Sequence, residues 1–188
     1  MLNLNFNPFP LLETERLYLR KITEDDKNEM FSLRSNKQIM QYIARPLMKT
    51  VEETVEFIKS INENIEKQEY INWGVALKSD NKLIGTVGFY RVQKENYRAE
   101  VGYMLHTNFH KQGIIQELMP VVLDYGFKQI KLHSIEAVID PRNKASENVL
   151  IKQGFVKEAH FKENFFFDGQ FLDSVHYSLI SPLEFTLK

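Results

Sequence analysis

The sequence contains no cysteine. That absence excludes disulfides, thiolate nucleophiles, iron–sulfur clusters and cysteine-type zinc sites. Nor is there an excess of charge: 24 Lys and Arg face 25 Asp and Glu, a net charge of −1. General nucleic-acid binders carry a strongly basic surface, so no direct nucleic-acid partner is expected. No stretch approaches the roughly 20 apolar residues of a membrane span. Residues 1–10 lack both a basic start and a continuous apolar run, so they do not read as a signal peptide. A cytoplasmic protein without a membrane partner is the expectation.

What remains is ordinary globular material. Hydrophobic residues make up 43 % and charged residues 26 %, which places the chain far from the disordered class. Its 188 residues suit one domain that buries roughly two-thirds of its unfolded surface. Residues 1–11 read as a loosely held arm broken by Pro8 and Pro10, 12–181 as the folded domain and 182–188 as a C-terminal tail.

Alternation marks strands at 16–21, 72–77, 83–92, 98–105 and 134–139. Thr23 caps a first helix with Glu24, Asp25 and Asp26 in its opening turn. Thr50-Val51-Glu52-Glu53 resembles a capping box that opens a second. A long amphipathic helix spans 113–129, where Pro120 should introduce a kink. A short helix at 145–153 ends at Gly154. The Asp168-Gly169 pair closes a hairpin between 156–167 and 171–179. The 98–139 unit needs a crossover, which makes its two strands parallel, while the short turns elsewhere imply antiparallel pairing. The fold class is α/β, with one mixed sheet and helices on both faces.

The chemistry concentrates where the strand ending at Leu105 meets the helix starting at Gly113. Backbone N–H groups at a helix start have no intrahelical partner and, with the helix dipole, favour an anion such as pyrophosphate. Lys111 adds positive charge and Gly113 permits close approach. Strand–glycine–helix junctions without a ligand are also common, so this motif alone decides little.

The surrounding residues are more specific. His110-Lys111-Gln112-Gly113-Ile114-Ile115 resembles the phosphate loop of the GNAT N-acetyltransferases, with the central glycine matched and His110 and Ile115 departing from the pattern. The opening run Leu12-Glu13-Thr14-Glu15-Arg16-Leu17, the strand at 83–88, and Asp140-Pro141-Arg142-Asn143-Lys144-Ala145-Ser146 with Gly154-Phe155 resemble the branch containing bacterial ribosomal-protein N-terminal acetyltransferases. The resemblance covers about residues 12–180. It implies the GNAT acyl-CoA N-acyltransferase fold, a six- to seven-stranded sheet whose central parallel strands splay near Leu105 and Ile139. It also implies acetyl-CoA as co-substrate and direct transfer to a primary amine without a metal. Met104, Leu105 and residues His110, Lys111, Gln112, Gly113, Ile114 and Ile115 would then contact the cofactor, a backbone N–H near Met104 or Leu105 holding the oxyanion. Asn143 would contact pantetheine and Ser146 would protonate the leaving thiolate. Helix capping explains both without any ligand. A homodimer is common among similar proteins.

Glu100 is the candidate base. Carboxylates are uncommon in central strands, and alternation puts Glu100 on one face with Gly102 and Met104, opposite Val101 and Tyr103. An ion pair with Arg20, Arg91 or Arg98 explains it equally well; the family likeness favours a base acting through water. The tip of the last hairpin offers acids only at Glu163 and Asp168. A weak base suits an α-amine of pKa about 7.7–8.0, roughly a tenth neutral at pH 7, better than a lysine near 10.4. A protein N-terminus is therefore the favoured acceptor. Small amines (polyamines, amino-acid derivatives, antibiotics) are the alternative, and a non-catalytic acyl-CoA-binding regulator is the reading from another class. His106 and His110 have metal-pair spacing but no third ligand, so no metal is expected. Phe161, Phe165, Phe166, Phe167 and Phe171 read as core at alternate positions, with some at a substrate mouth or dimer contact.

Overall fold

A computed structural model describes residues 1–183. Residues 184–188 of the anticipated tail lie outside the described part. The element order is β1 (Leu12–Glu13), β2 (Leu17–Arg20), α1 (Lys27–Ser35), α2 (Lys37–Met40), α3 (Val51–Glu66), β3 (Ile71–Leu77), β4 (Leu83–Gln93) and β5 (Arg98–Leu105). It continues with α4 (Ile114–Tyr125), β6 (Ser134–Ile139), α5 (Lys144–Lys152), β7 (Val156–Phe167) and β8 (Gln170–Ile180). One eight-stranded sheet runs β1-β2-β3-β4-β5-β6-β8-β7, parallel only between β5 and β6. The strand beyond the anticipated number is β1, two residues pairing with β2 through Leu12–Leu19.

The helix starts follow the sequence signals. The Thr50 hydroxyl accepts from the Glu53 N–H at 3.2 Å, and Ile58, Ile61 and Ile65 turn inward from α3. Asp26 accepts from the Thr23 N–H at 2.9 Å, while its two oxygens hold Arg20 at 2.7 and 2.8 Å. Pro120 stands on the solvent face of α4, and at Gly126 the helix passes into a π turn over Gly126–Ile130. That junction is tight: a Cβ at Gly126 would lie 2.7 Å from the Phe89 ring. Trp73 fills the centre of the core and donates from its indole N–H to the Pro10 carbonyl at 2.8 Å.

Two expectations are corrected. The N-terminal arm is not loose: Leu2, Leu4 and Phe6 alternate into the core. Burying such side chains stabilises by about 1.5–3 kcal/mol each, which outweighs the breaker signal of the prolines. The phenylalanines of the last hairpin are not core: Phe161, Phe165, Phe166 and Phe171 are exposed. Strand β7 is the sheet edge and most of its residues face solvent. No helix among the described residues is long and apolar enough to cross a membrane.

Candidate active site

The parallel strands part company early. β5 and β6 pair only at Arg98–Ser134, Ala99–Ile135 and Glu100–Glu136. Beyond that rung β5 stays with β4 as far as Leu105–Gly85, and β6 stays with β8 as far as Ile139–Val175. Each is held by its outer neighbour, so a cleft opens between them.

Hydrogen-bond parity decides which backbone groups face this cleft. The His106 N–H donates to the Ile84 carbonyl at 2.8 Å, so even positions of β5 turn their backbone groups to β4 and odd positions to β6. Met104 is therefore committed to β4, and an oxyanion donor at its N–H is ruled out. The N–H groups of Tyr103 and Leu105 face the cleft. The Leu105 carbonyl accepts from His110 Nε2 at 2.9 Å; a carbonyl only accepts, so that nitrogen carries the proton.

The loop from His110 to Gly113 is thereby tied to the end of β5. Lys111 and Gly113 both take left-handed backbone, with φ of 61° and 75°, and the first-turn N–H groups of α4 are left without intrahelical acceptors. Arg16 braces this loop: Nη2 donates to the Gln112 carbonyl at 3.0 Å and Nε to Glu117 at 2.6 Å. Glu117 also accepts from the Arg16 N–H and the Thr14 hydroxyl. The opening Thr14–Arg16 motif is thus a clamp on the first turn of α4. Ile114 is buried and Ile115 half-buried, so these two hold the helix to the core.

Across the cleft, the Asn143 side chain accepts from the Ser146 N–H at 3.1 Å and caps α5. Ser146 is buried, and its hydroxyl lies 2.7 Å from that of Tyr103. Burial pushes the Tyr103 phenol up to about 12, against the smaller opposing effect of Ser146, which keeps it protonated at neutral pH. The opposite face carries Glu100, whose cross-strand partner is Tyr90. Tyr90 lies back over two glycines: Cβ atoms at Gly88 and Gly102 would each come within 3.1 Å of its ring. Glu100 pairs with Arg91 at 2.6 Å. Burial raises its carboxyl above the usual range, with Arg91 acting in the opposite direction.

The chain matches the acetyltransferase (GNAT) domain model over residues 16–156. It belongs to the GNAT family of acetyltransferases. An uncharacterised N-acetyltransferase of Bacillus subtilis, YoaA, is 33 % identical over 176 residues, covering 94 % of this chain and 99 % of that protein. A spermidine N(1)-acetyltransferase of Vibrio cholerae is 26 % identical, covering 84 % and 89 %. The solved structure of a ribosomal-protein alanine acetyltransferase from Vibrio fischeri superposes with a TM-score of 0.80 at 26 % identity, covering 92 % of this chain and 97 % of that one. The protein is an N-acetyltransferase of GNAT type that takes its acetyl group from acetyl-CoA.

The donor set fits such a co-substrate. The cleft offers unpaired backbone edges to an extended arm, and the glycine turn offers N–H groups to phosphates. The structure gathers Leu105, the His110–Ile115 loop, Asn143 and Ser146 around one cleft, with Glu100 at its closed end. His110 differs from expectation in reaching back to the strand rather than out of the loop. Sequence reasoning did not single out Tyr103 as Ser146's partner, and nothing in the spacing of residues 43 apart announces such a contact.

Proposed function

We propose that the acceptor is the α-amino group of a protein or peptide N-terminus, in the cytoplasm. The carrying observation is charge balance at the cleft. Three carboxylates along it are already matched by arginines: Glu100 by Arg91 at 2.6 Å and Glu136 by Arg98 at 3.5 Å at its closed end, and Asp140 by Arg142 at 2.5 Å further out. A polyamine gains most from unmatched negative charge, and these three carboxylates are already neutralised. An α-amine needs only one base, since roughly a tenth of it is neutral at pH 7. The alanine acetyltransferase fold neighbour agrees with this reading; the spermidine acetyltransferase relative supports the small-amine alternative.

In this reading Glu100 takes the proton of the attacking amine through water. The N–H groups of Tyr103 and Leu105 hold the charge that develops on the acetyl oxygen, where preorganised donors contribute most. Ser146 gives a proton to the departing thiolate, Tyr103 replenishes it across their 2.7 Å contact, and water returns a proton to the phenol once CoA has left, as Glu100 releases the amine's proton to solvent. The free Asn143 amide nitrogen is left to meet the pantetheine arm.

Thiol release from acetyl-CoA tests the acceptor. Short peptides with varied first residues should support release, and blocking the α-amine should abolish it. Release with spermidine or aminoglycosides but with no peptide would overturn the reading in favour of small amines. Tight CoA binding with no release from any amine would leave the non-catalytic regulator.

A further inference from the structure

The chain has seven arginines. Five pair with carboxylates: Arg16, Arg20, Arg91, Arg98 and Arg142. The two that do not, among the described residues, are Arg34 and Arg45; the loop that carries Arg45 is tied to Arg34 by the Met48 N–H, which donates to the Arg34 carbonyl at 3.2 Å, and the two like charges disfavour each other. Arg34 sits in the last turn of α1, its guanidinium 5.0 Å from the centre of the Phe57 ring. Its Nε is shut off from solvent and has no hydrogen-bond partner. Burial pulls its pKa down, opposed by the neighbouring Tyr90, yet arginine remains charged at any working pH. Arg45 is exposed on the loop between α2 and α3. The same loop carries Tyr42, which acts on Arg142 at the mouth of the cleft.

A half-buried cation with an orphaned donor and a like-charged neighbour is costly unless something supplies the counter-charge. The planar guanidinium fork matches a carboxylate or phosphate, and two forks converging on one anion form strong charge-assisted bonds. Tyr90 links this pair to the reaction, since it interacts with Arg34 and stands across from Glu100. We propose that Arg34 and Arg45 together bind an anionic group, a carboxylate or a phosphate, carried by the acceptor amine. This rests on the acceptor reaching Glu100 over the Tyr90 face. On a peptide acceptor the anion is an acidic or phosphorylated side chain within the first few residues.

The test compares kcat/KM for matched peptides differing only by Asp against Asn, or Glu against Gln, at positions one to three. A phosphoserine peptide, free glutamate and spermidine complete the panel. The acidic member of the best pair should exceed its amide by tenfold or more. Arg34→Gln and Arg45→Gln should each bring that ratio towards one; Arg45 is exposed on its loop, so its variant does not put folding at stake. A phosphoserine peptide exceeding the Asp peptide assigns the anion as phosphate. Turnover of free glutamate with no peptide, lost in the arginine variants, would sustain this inference while ending the N-terminal reading. If nothing turns over, calorimetric binding of the acid and amide peptides to the protein–CoA complex reads the same preference. Equal rates or equal binding for acid and amide, a preference for spermidine, or a preference unmoved by both variants overturns it.

Discussion

Glu100→Gln should lower kcat by about 10²–10⁴-fold, the range a positioned general base contributes, with little change in KM for acetyl-CoA. The substitution keeps the shape of the side chain and removes its charge and its basicity. The ion pair it breaks is with an arginine 65 % exposed, so the loss of stability should stay below about 1 kcal/mol. Thermal unfolding of the variant therefore separates a catalytic loss from a folding defect. The pH profile separates it further. The base works deprotonated, and burial raises the Glu100 pKa, so its titration limb lies above the ordinary carboxylate range. The acceptor amine must also be neutral, so log kcat/KM should rise with slope one below the amine pKa and steepen to slope two below that of Glu100. Glu100→Gln should lose the steeper portion. Arg91→Gln removes a positive charge that holds the carboxyl down, so it should move the limb to higher pH. Wild-type slope one throughout, together with full activity of Glu100→Gln, would return this residue to a purely structural ion pair.

The second large effect is expected at Gly113. Its φ of 75° lies in the left-handed region, where a side chain costs about 1–2 kcal/mol. The space around it is open, since an added Cβ would meet only Arg16 Nη2 at 3.8 Å. Gly113→Val should therefore act through the backbone and through steric exclusion of a phosphate, with little loss of core packing. KM for acetyl-CoA should rise roughly tenfold or more, since each 1.4 kcal/mol of binding is a factor of ten. The value of kcat at saturation should change little, the reverse of the Glu100→Gln pattern. Unchanged KM would mean that the N–H groups at the start of α4 do not hold the donor.

Local signals carried the fold well where the chemistry was local. Thr50 caps α3, and Asp168 and Gly169 both adopt positive φ, as the hairpin turn they suggest requires. The splayed parallel pair was legible through the family resemblance, and the register then showed where it opens. What could not be read depends on register and docking. Met104 and Leu105 look alike as oxyanion donors in sequence; a single hydrogen bond from His106 to Ile84 separates them. The exposure of Phe161 and Phe166 follows from β7 being an edge strand, which no run of phenylalanines announces. Likewise Arg34 is one more helix residue in the sequence. Only its place beside Phe57, with no acid to meet it, makes it notable.

Amide hydrogen exchange with and without CoA tests the central claim most directly, that the cleft between β5 and β6 and the turn at Gly113 hold the acyl donor. New protection is expected at the Tyr103 and Leu105 amides and across Gly113 to Gln116, with the Met104 amide, already bonded to β4, nearly unchanged. Protection confined to other parts of the sheet, with those amides exchanging as fast as before, would contradict it.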